Sequence, residues 1–418
     1  MHKTGIRWVL SFFVLVPFLF FLSVLGSPVL ATTPEIEGIR EQIRNKGARW
    51  LSEETSITKL PAERRLKRLG LLNPVVPKGG RLVRSTQSEA NDTEYLNYNE
   101  PPYEYVTPIK DQGDCGGCWA FSTTAALESQ VLKATRAVPR SINLSEQIII
   151  SCSGTGNCES GGYIEPASNF IRSTGLPPEN CFPYTATDNK CSNAACPFWQ
   201  SDTDAITGWQ YVMPTVAGLK NALLKYGPLV VTMNVYSDFY SYAGGVYSHV
   251  SGSFQGGHAV ELIGYDNTNQ CFIAKNSWGV DWGESEVGFI KTRGFFRIAY
   301  SEVSDGDVRF AYDAIAYDGY KAIQSFCSYS VSPTSITVSY VGGYAEASVA
   351  TQPGCSRRAV SHVRWIKIVS GANGTGDGIV RYRVHHNKTD EDRTGALTIA
   401  GKTLIVKQQK RPLLFWRF

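Results

Sequence analysis

The sequence predicts an α+β domain built in two halves, helices first and strands later, followed by a small all-β sandwich. Three observations carry this. Helical periodicity runs through "CWAFSTTAALESQVLKA" from Cys118 and "LSEQIIISC" from Leu144, with apolar residues returning every three or four positions. Short β-type runs follow, "GPLVVTMNV", "HAVELIGYD" and "CFIAKNSWG", and helices that precede strands rather than alternate with them mark an α+β arrangement. From about Phe326 the apolar period falls to two, at Ile336-Val338-Tyr340, Val380-Tyr382-Val384, Leu397-Ile399 and Leu404-Val406. Gly, Pro, Asn and Asp turns separate these short strands, the pattern of a compact β-sandwich.

The 418 residues suffice for two separate cores. An apolar content of 43% and a charged content of 19% exclude a disordered chain. A formal net charge of +4, with no block of like charges, gives no reason to expect nucleic acid as a partner. At the N-terminus, Lys3 and Arg7 precede an apolar run from Trp8 to Leu25, and Val29-Leu30-Ala31 offers a cleavage position. Residues 1–31 thus read as a secretory signal peptide. The alternative is an uncleaved anchor, since a span needs about 20 apolar residues, although Pro17 interrupts the run. With the signal cleaved, no stable membrane insertion is expected. Either way the body is exported, and bacterial-type export would leave it secreted, periplasmic or at the cell surface. In an oxidising compartment the ten cysteines are read first as disulfide partners.

Residues 32–100 have the organisation of a propeptide with its linker. Ile36, Ile39, Ile43 and Trp50 fall near helical spacing, and "LPAERRLKRLGL" offers a second helix. "RSTQSEANDTEYLNYNEPP" is poor in apolar residues and rich in turn formers, so it reads as an exposed linker. The main domain is expected over 101–321, the sandwich over 326–410 and an aromatic tail, "RPLLFWRF", over 411–418.

The stretch Asp111–Ser122, "DQGDCGGCWAFS", places Cys115 and Cys118 three residues apart. A thioredoxin-like redox pair would need a βαβ context, and a zinc half-site a second closely spaced ligand pair; the sequence offers neither. Instead "QGDCGGCWAFS", "LSEQIIISC", "CESGG", "GGHAVELIGYD" and "KNSWGVDWGE" occur in that order across residues 101–300. This ordered set resembles the papain family of cysteine peptidases. The resemblance implies a papain-like two-lobed fold, a helical lobe plus a β-barrel-like lobe. It also implies peptide-bond hydrolysis through an acyl-enzyme, protein or peptide substrates, a zymogen, and no metal or organic cofactor.

The residue chemistry agrees with that implication. A cysteine attacks only as thiolate, and Cys118 opens a helical pattern whose N-terminal dipole would favour the anion. A histidine must stabilise the thiolate and then protonate the leaving amine. Within the main domain the choice is His249, which reads as a solvated loop histidine in "YSHVSGS", or His258, which runs into the apolar strand "AVELIGY". His258 follows Cys118 by 140 residues, inside the roughly 130–150 found in papain-type chains. Asn276 of "AKNSWG" can fix the imidazole tautomer, as the family's Cys-His-Asn set implies, with Trp278 shielding that bond from water. By resemblance, Gln112 and the Cys118 backbone N–H form the oxyanion hole. The catalytic set is therefore Gln112, Cys118, His258 and Asn276.

Also by resemblance, Cys115 pairs with Cys158 and Cys152 with Cys191. Cys181 with Cys196, and Cys327 with Cys355, are candidate pairs, leaving Cys271 as a buried thiol. Gly161 and Gly162 would pair with extended substrate backbone. Tyr163, Ile164 and Ala259 would line an apolar pocket for the second residue before the cut, unless Tyr163 and Ile164 are simply core. Some features depart from the family pattern. Gly117 stands where Ser or Ala is usual, and the usual lead-in to the motif is replaced by "PPYEYVTPIKDQG". Beyond Glu284 there are two candidate strands, "GFIK" and "GFFR", one of them an insertion. The terminal sandwich resembles BACON-type Ig-like modules, through "CSYSVSPTS", "WIKIVSGANGTGDG" and "RTGALTIAGKTLIVKQQ". That likeness leaves open a glycan or cell-surface ligand or a plain spacer. Two other readings of the whole chain are a catalytically idle binding protein and an adhesin with an accessory peptidase.

Overall fold

The computed structural model describes residues 33–72, 93–196, 199–284, 293–304, 306–324 and 327–412. The expected signal peptide, the "GFIK" candidate, the first nine residues of the linker and the last six residues of the chain lie outside them.

The N-terminal segment begins with α1 (Pro34–Lys46), opened by Pro34 and closed by Gly47 in the left-handed region, φ 63°. Its apolar stripe, Ile36, Ile39 and Ile43, is buried. Trp50 does not continue the helix: Gly47 ends it, and Trp50 is buried in β1 (Arg49–Ser52). The second expected helix shrinks to α2 (Ala62–Leu66), and the chain beyond it crosses the body of the domain. The expected linker also ends in structure, since β2 (Tyr95–Asn97) buries Leu96.

The helical half comprises α3 (Cys118–Thr135), α4 (Glu146–Cys152), the short hairpin β3 (Gly156–Asn157) with β4 (Gly161–Gly162), and α5 (Ile164–Ser173). Ser145 caps α4 by accepting from the Ile148 N–H. The α3 helix is buried along nearly its whole length, from Cys118 to Leu132, so it is central rather than amphipathic. The second half runs β5 (Asp202–Tyr211), α6 (Val216–Tyr226), β6 (Leu229–Tyr236), β7 (Tyr242–Tyr247), β8 (Phe254–Asp266), β9 (Cys271–Lys275), β10 (Phe295–Ala299) and β11 (Ala314–Gln324). Of the two candidates beyond Glu284, "GFFR" supplies β10.

Among the described residues, nine strands form one sheet in the order β1-β7-β10-β9-β8-β6-β11-β5, with β2 added to β8. The N-terminal segment therefore supplies its edge strand, β1 paired antiparallel with β7. The cores of α3 and this sheet form one apolar cluster.

The sandwich comprises β12 (Ser330–Ser332), β13 (Ser335–Val338), β14 (Gly343–Ala350), β15 (Ser356–Ser361), β16 (Ile366–Ser370), β17 (Asn373–Thr375), β18 (Gly378–Val384), β19 (Arg393–Ile399) and β20 (Lys402–Gln408). They make two sheets, β12-β14-β18-β16 and β13-β20-β19-β15-β17. Val380, Tyr382, Val384, Leu397, Ile399, Leu404 and Val406 face inward, as the period of two predicts. Tyr340 alone falls past its strand, in a turn.

The sandwich is not a loose appendage. Val360 joins the main apolar cluster, and the Val138 N–H donates to the Ser361 carbonyl at 2.9 Å. The Arg358 guanidinium binds the Asp204 carboxylate, which also accepts from the Tyr320 hydroxyl at 2.6 Å. Removing one partner of such a nearly buried pair strands the other charge. Arg358→Ala is therefore expected to lower stability by about 3 kcal/mol in urea unfolding, and the apolar double substitution Arg358→Leu/Asp204→Leu by clearly less.

Candidate active site

The β8–β9 pair sets the histidine side of the site. His258 lies in β8 and Asn276 directly follows β9, with Glu261 and Lys275 as cross-strand partners in the register. The His258 Nε2 lies 2.8 Å from the Asn276 Oδ1. The Ser277 backbone N–H also donates to that atom, at 2.8 Å, which fixes it as the amide oxygen. Nε2 therefore carries the proton and donates, leaving Nδ1 bare. Nδ1 is buried and has no hydrogen-bond partner among the described residues. Trp278 covers the pair, its ring 4.9 Å from the imidazole between centroids. Burial, only partly offset by the Asn276 hydrogen bond, pushes His258 down to about 4.

Cys118 is the first residue of α3 and is fully buried. Burial pushes its thiol up to about 11, while the backbone N–H groups of Ala259, Gly70 and Trp119 pull the other way. The contact from Ala259, next to His258, places the thiol beside the histidine strand. The contact from Gly70 comes from the N-terminal segment.

Gln112 is held on both sides. Its Oε1 accepts from the Ser277 hydroxyl at 2.6 Å. Its Nε2 donates to the Cys115 carbonyl at 2.8 Å and to the Arg68 carbonyl at 3.1 Å. Trp278 Nε1 donates to the same Arg68 carbonyl, at 3.1 Å. Ser277 is thus a site residue that the sequence reading passed over, although it lies inside "AKNSWG" between two residues singled out there.

The N-terminal segment threads this groove. Gly162 N–H donates to the Gly70 carbonyl at 2.8 Å, Leu72 N–H to the Gly162 carbonyl at 3.1 Å, and Leu71 N–H to the Gly257 carbonyl at 3.1 Å. A Cβ on Gly70 would lie 1.9 Å from the Gly116 carbonyl oxygen, so only glycine permits this crossing. Gly161 and Gly162 meet the segment's backbone. Of the expected pocket residues, Tyr163 is half-buried, Ile164 lies in the core cluster, and Ala259 is buried beside the thiol. His249 is not a solvated loop histidine: its ring lies 3.2 Å from the Asp238 carboxylate and tilts against Tyr236, 4.0 Å between centroids.

Four disulfides close: Cys115–Cys158, Cys152–Cys191, Cys181–Cys196 and Cys327–Cys355. Cys118 and Cys271 are free and buried. The first bridge ties the Gln112 loop to the Gly161–Gly162 loop.

A buried thiol at a helix N-terminus, a tautomer-fixed imidazole and an oriented amide donor make up the equipment of a thiol hydrolase. The pattern of the papain family cysteine proteases matches residues 94–303, and the chain belongs to that family. That match begins within the expected linker, where β2 forms. A cathepsin L-like proteinase of Fasciola hepatica is 38% identical over 201 residues, 47% of this chain and 57% of that protein. Cathepsin B-like CP3 of Giardia intestinalis is 33% identical over 227 residues, 51% of this chain and 72% of that protein. The chain thus spans little more than half the length of the first. Among solved structures, a digestive procathepsin L2 proteinase of Tenebrio molitor larval midgut gives a TM-score of 0.55 at 25% identity, covering 68% of this chain and 89% of that one. The proCathepsin B S9 of Trypanosoma congolense gives 0.57 at 22%, covering 69% and 98%.

The Cys115–Cys158 bridge closes a separation of 43 residues, a constraint worth about 3–4 kcal/mol. Cys115→Ala/Cys158→Ala is expected to lose about that much in urea unfolding, whereas Cys118→Ser is expected to unfold within about 1 kcal/mol of the unchanged protein.

Proposed function

We propose that this chain is an exported cysteine endopeptidase made as a zymogen. The carrying observation is the imidazole held by Asn276 with Nδ1 bare, on a strand packed against the helix that Cys118 opens. In this reading His258 Nδ1 takes the Cys118 proton, and the thiolate attacks the scissile carbonyl. The developing oxyanion is received by the Gln112 Nε2 and the Cys118 backbone N–H. The imidazolium then protonates the leaving amine, and water, deprotonated by His258, hydrolyses the thioester. Ser277 holds Gln112 in the donor orientation, and Asn276 keeps the imidazole in the required tautomer.

The N-terminal segment acts as the inhibitor in the zymogen. It occupies the groove from Arg68 to Leu72, packs the Gly70 backbone on Gly116 next to the cysteine and takes the Gln112 donor with the Arg68 carbonyl. Both proform neighbours support this reading. Under cover the pair stays neutral, a thiol and an imidazole, which cannot attack. The pH sign follows from His258. Its ordinary value of 6.5 is depressed to about 4 in the covered state. The covered state is therefore most stable above 6.5, and this contribution is lost as pH falls toward about 4. Acid is expected to loosen the segment.

Removing the segment and supplying reductant is expected to release hydrolysis of casein, abolished by Cys118→Ser. In the full chain, Gly70→Ala is expected to give premature activity at neutral pH, because the added Cβ unseats the segment. Processed, folded protein that cuts no substrate between pH 4 and 8 would overturn the peptidase reading in favour of an idle binding protein.

A further inference from the structure

We propose that Asp111 and Asp114 form a subsite for a basic side chain on the leaving-group side of the scissile bond, so that the mature enzyme favours Arg or Lys just after the cut. This rests on the peptidase reading above and names the substrate class for it.

The N-terminal segment already seats such a side chain. The Arg68 side chain is only 9% exposed, and its guanidinium binds the Asp111 carboxylate and lies 3.8 Å from the Asp114 Oδ1. Arg64 Nε donates to the Asp114 Oδ2 at 2.6 Å. Two carboxylates thus hold two guanidiniums, and the more deeply placed one belongs to the residue whose carbonyl rests on Gln112 Nε2 and Trp278 Nε1. The Asp111 and Asp114 carboxylates thus seat a cation directly beside Gln112 and Trp278. The pairing is not saturated: the Asp114 Oδ1 and Arg68 Nε are buried without a hydrogen-bond partner among the described residues.

The direction follows from the same segment. Arg68 lies at Asp111 and Trp278, Gly70 on the Gly116 backbone two residues before Cys118, and Leu71 and Leu72 at Gly257 and Gly162. Asp111 and Asp114 therefore sit across the nucleophile from Gly161–Gly162. With residues before the cut paired to Gly162, the residues after it run toward the two carboxylates. Once the segment leaves, Arg64 and Arg68 leave with it. The nearest cation in sequence, Lys110, is turned inward onto Glu128 and Glu146 at 2.9 and 2.6 Å. The carboxylates are then left without a cation, and Asp111 is half-exposed even with the segment in place. A planar guanidinium suits paired carboxylates better than an ammonium does, so Arg should exceed Lys.

The test uses processed enzyme and internally quenched peptides of one sequence, varied over Arg, Lys, Leu and Glu at the first two residues after the cut. The expected order of kcat/KM is Arg, Lys, Leu, Glu, with Arg over Leu roughly fivefold to twentyfold, the range for a partly buried charged pair. The Arg-to-Leu ratio is expected to shrink toward one in Asp111→Asn/Asp114→Asn and in high salt. Because each ratio is internal to one enzyme preparation, partial misfolding does not imitate the loss. Equal rates for Arg and Leu peptides, or a ratio that persists in the double variant, would overturn the subsite while leaving the peptidase reading intact. Failure to cut any peptide would overturn both.

Discussion

The burial of α3 is the constraint on which the rest depends. A helix sunk from Cys118 to Leu132 needs internal partners above all for the charged and strongly polar side chains it carries. Glu128 finds them in the Lys110 ammonium, the Thr107 hydroxyl and the Leu144 N–H. Ser129 donates to Glu261 at 2.6 Å, and Glu261 lies 3.7 Å from Lys275. These contacts pin the helix to β8 and β9. The two strands carry His258 and Asn276, and the helix carries Cys118. The polar network that makes the helix tolerable in the core is therefore also what brings Cys118 to the strands that carry His258 and precede Asn276. Glu261 and Lys275 are cross-strand partners, so the same pair locks the register that gives the 2.8 Å contact between His258 and Asn276.

The second constraint is the close passage of backbones at Gly70, Gly116 and Gly161. A Cβ on Gly161 would lie 2.0 Å from the Gly70 carbonyl oxygen. Where three glycine backbones touch, the segment can lie over Cys118 without a side chain between them. The cover is thus built from main chain, and Arg68, Leu69 and Leu71 supply the side-chain anchors to either side of it. This explains why the covered thiol and imidazole are both pushed toward neutrality by burial.

Much of this was legible in local pattern. The period of two in the sandwich strands and the helical runs from Cys118 and in "LSEQIIISC" read directly, because each depends on near neighbours. Trp50 misled because it continues a helical spacing that Gly47 interrupts, and its strand exists only through pairing with β7. Leu96 hid in a polar stretch for the same reason, since β2 is made by β8. The second expected helix stopped at Leu66 because residues 67–72 gain more by pairing across the groove than by continuing to coil. His249 looked solvated in sequence, and its partner Asp238 lies eleven residues upstream with no periodic signal. Ser277 could have been found: a hydroxyl between an imidazole's orienter and an indole is well placed to orient a neighbouring amide.

The central claim is that the N-terminal segment holds Cys118 as a neutral thiol until it leaves. The most direct measurement is the rate of iodoacetamide alkylation of Cys118 against pH, in the full chain and after removal of the segment, with Cys118→Ser correcting for the buried Cys271. Slow alkylation of the full chain that rises only in strongly alkaline solution, and fast alkylation at neutral and mildly acidic pH once the segment is gone, is the predicted result. Equal, fast alkylation of both forms near pH 6 would contradict it.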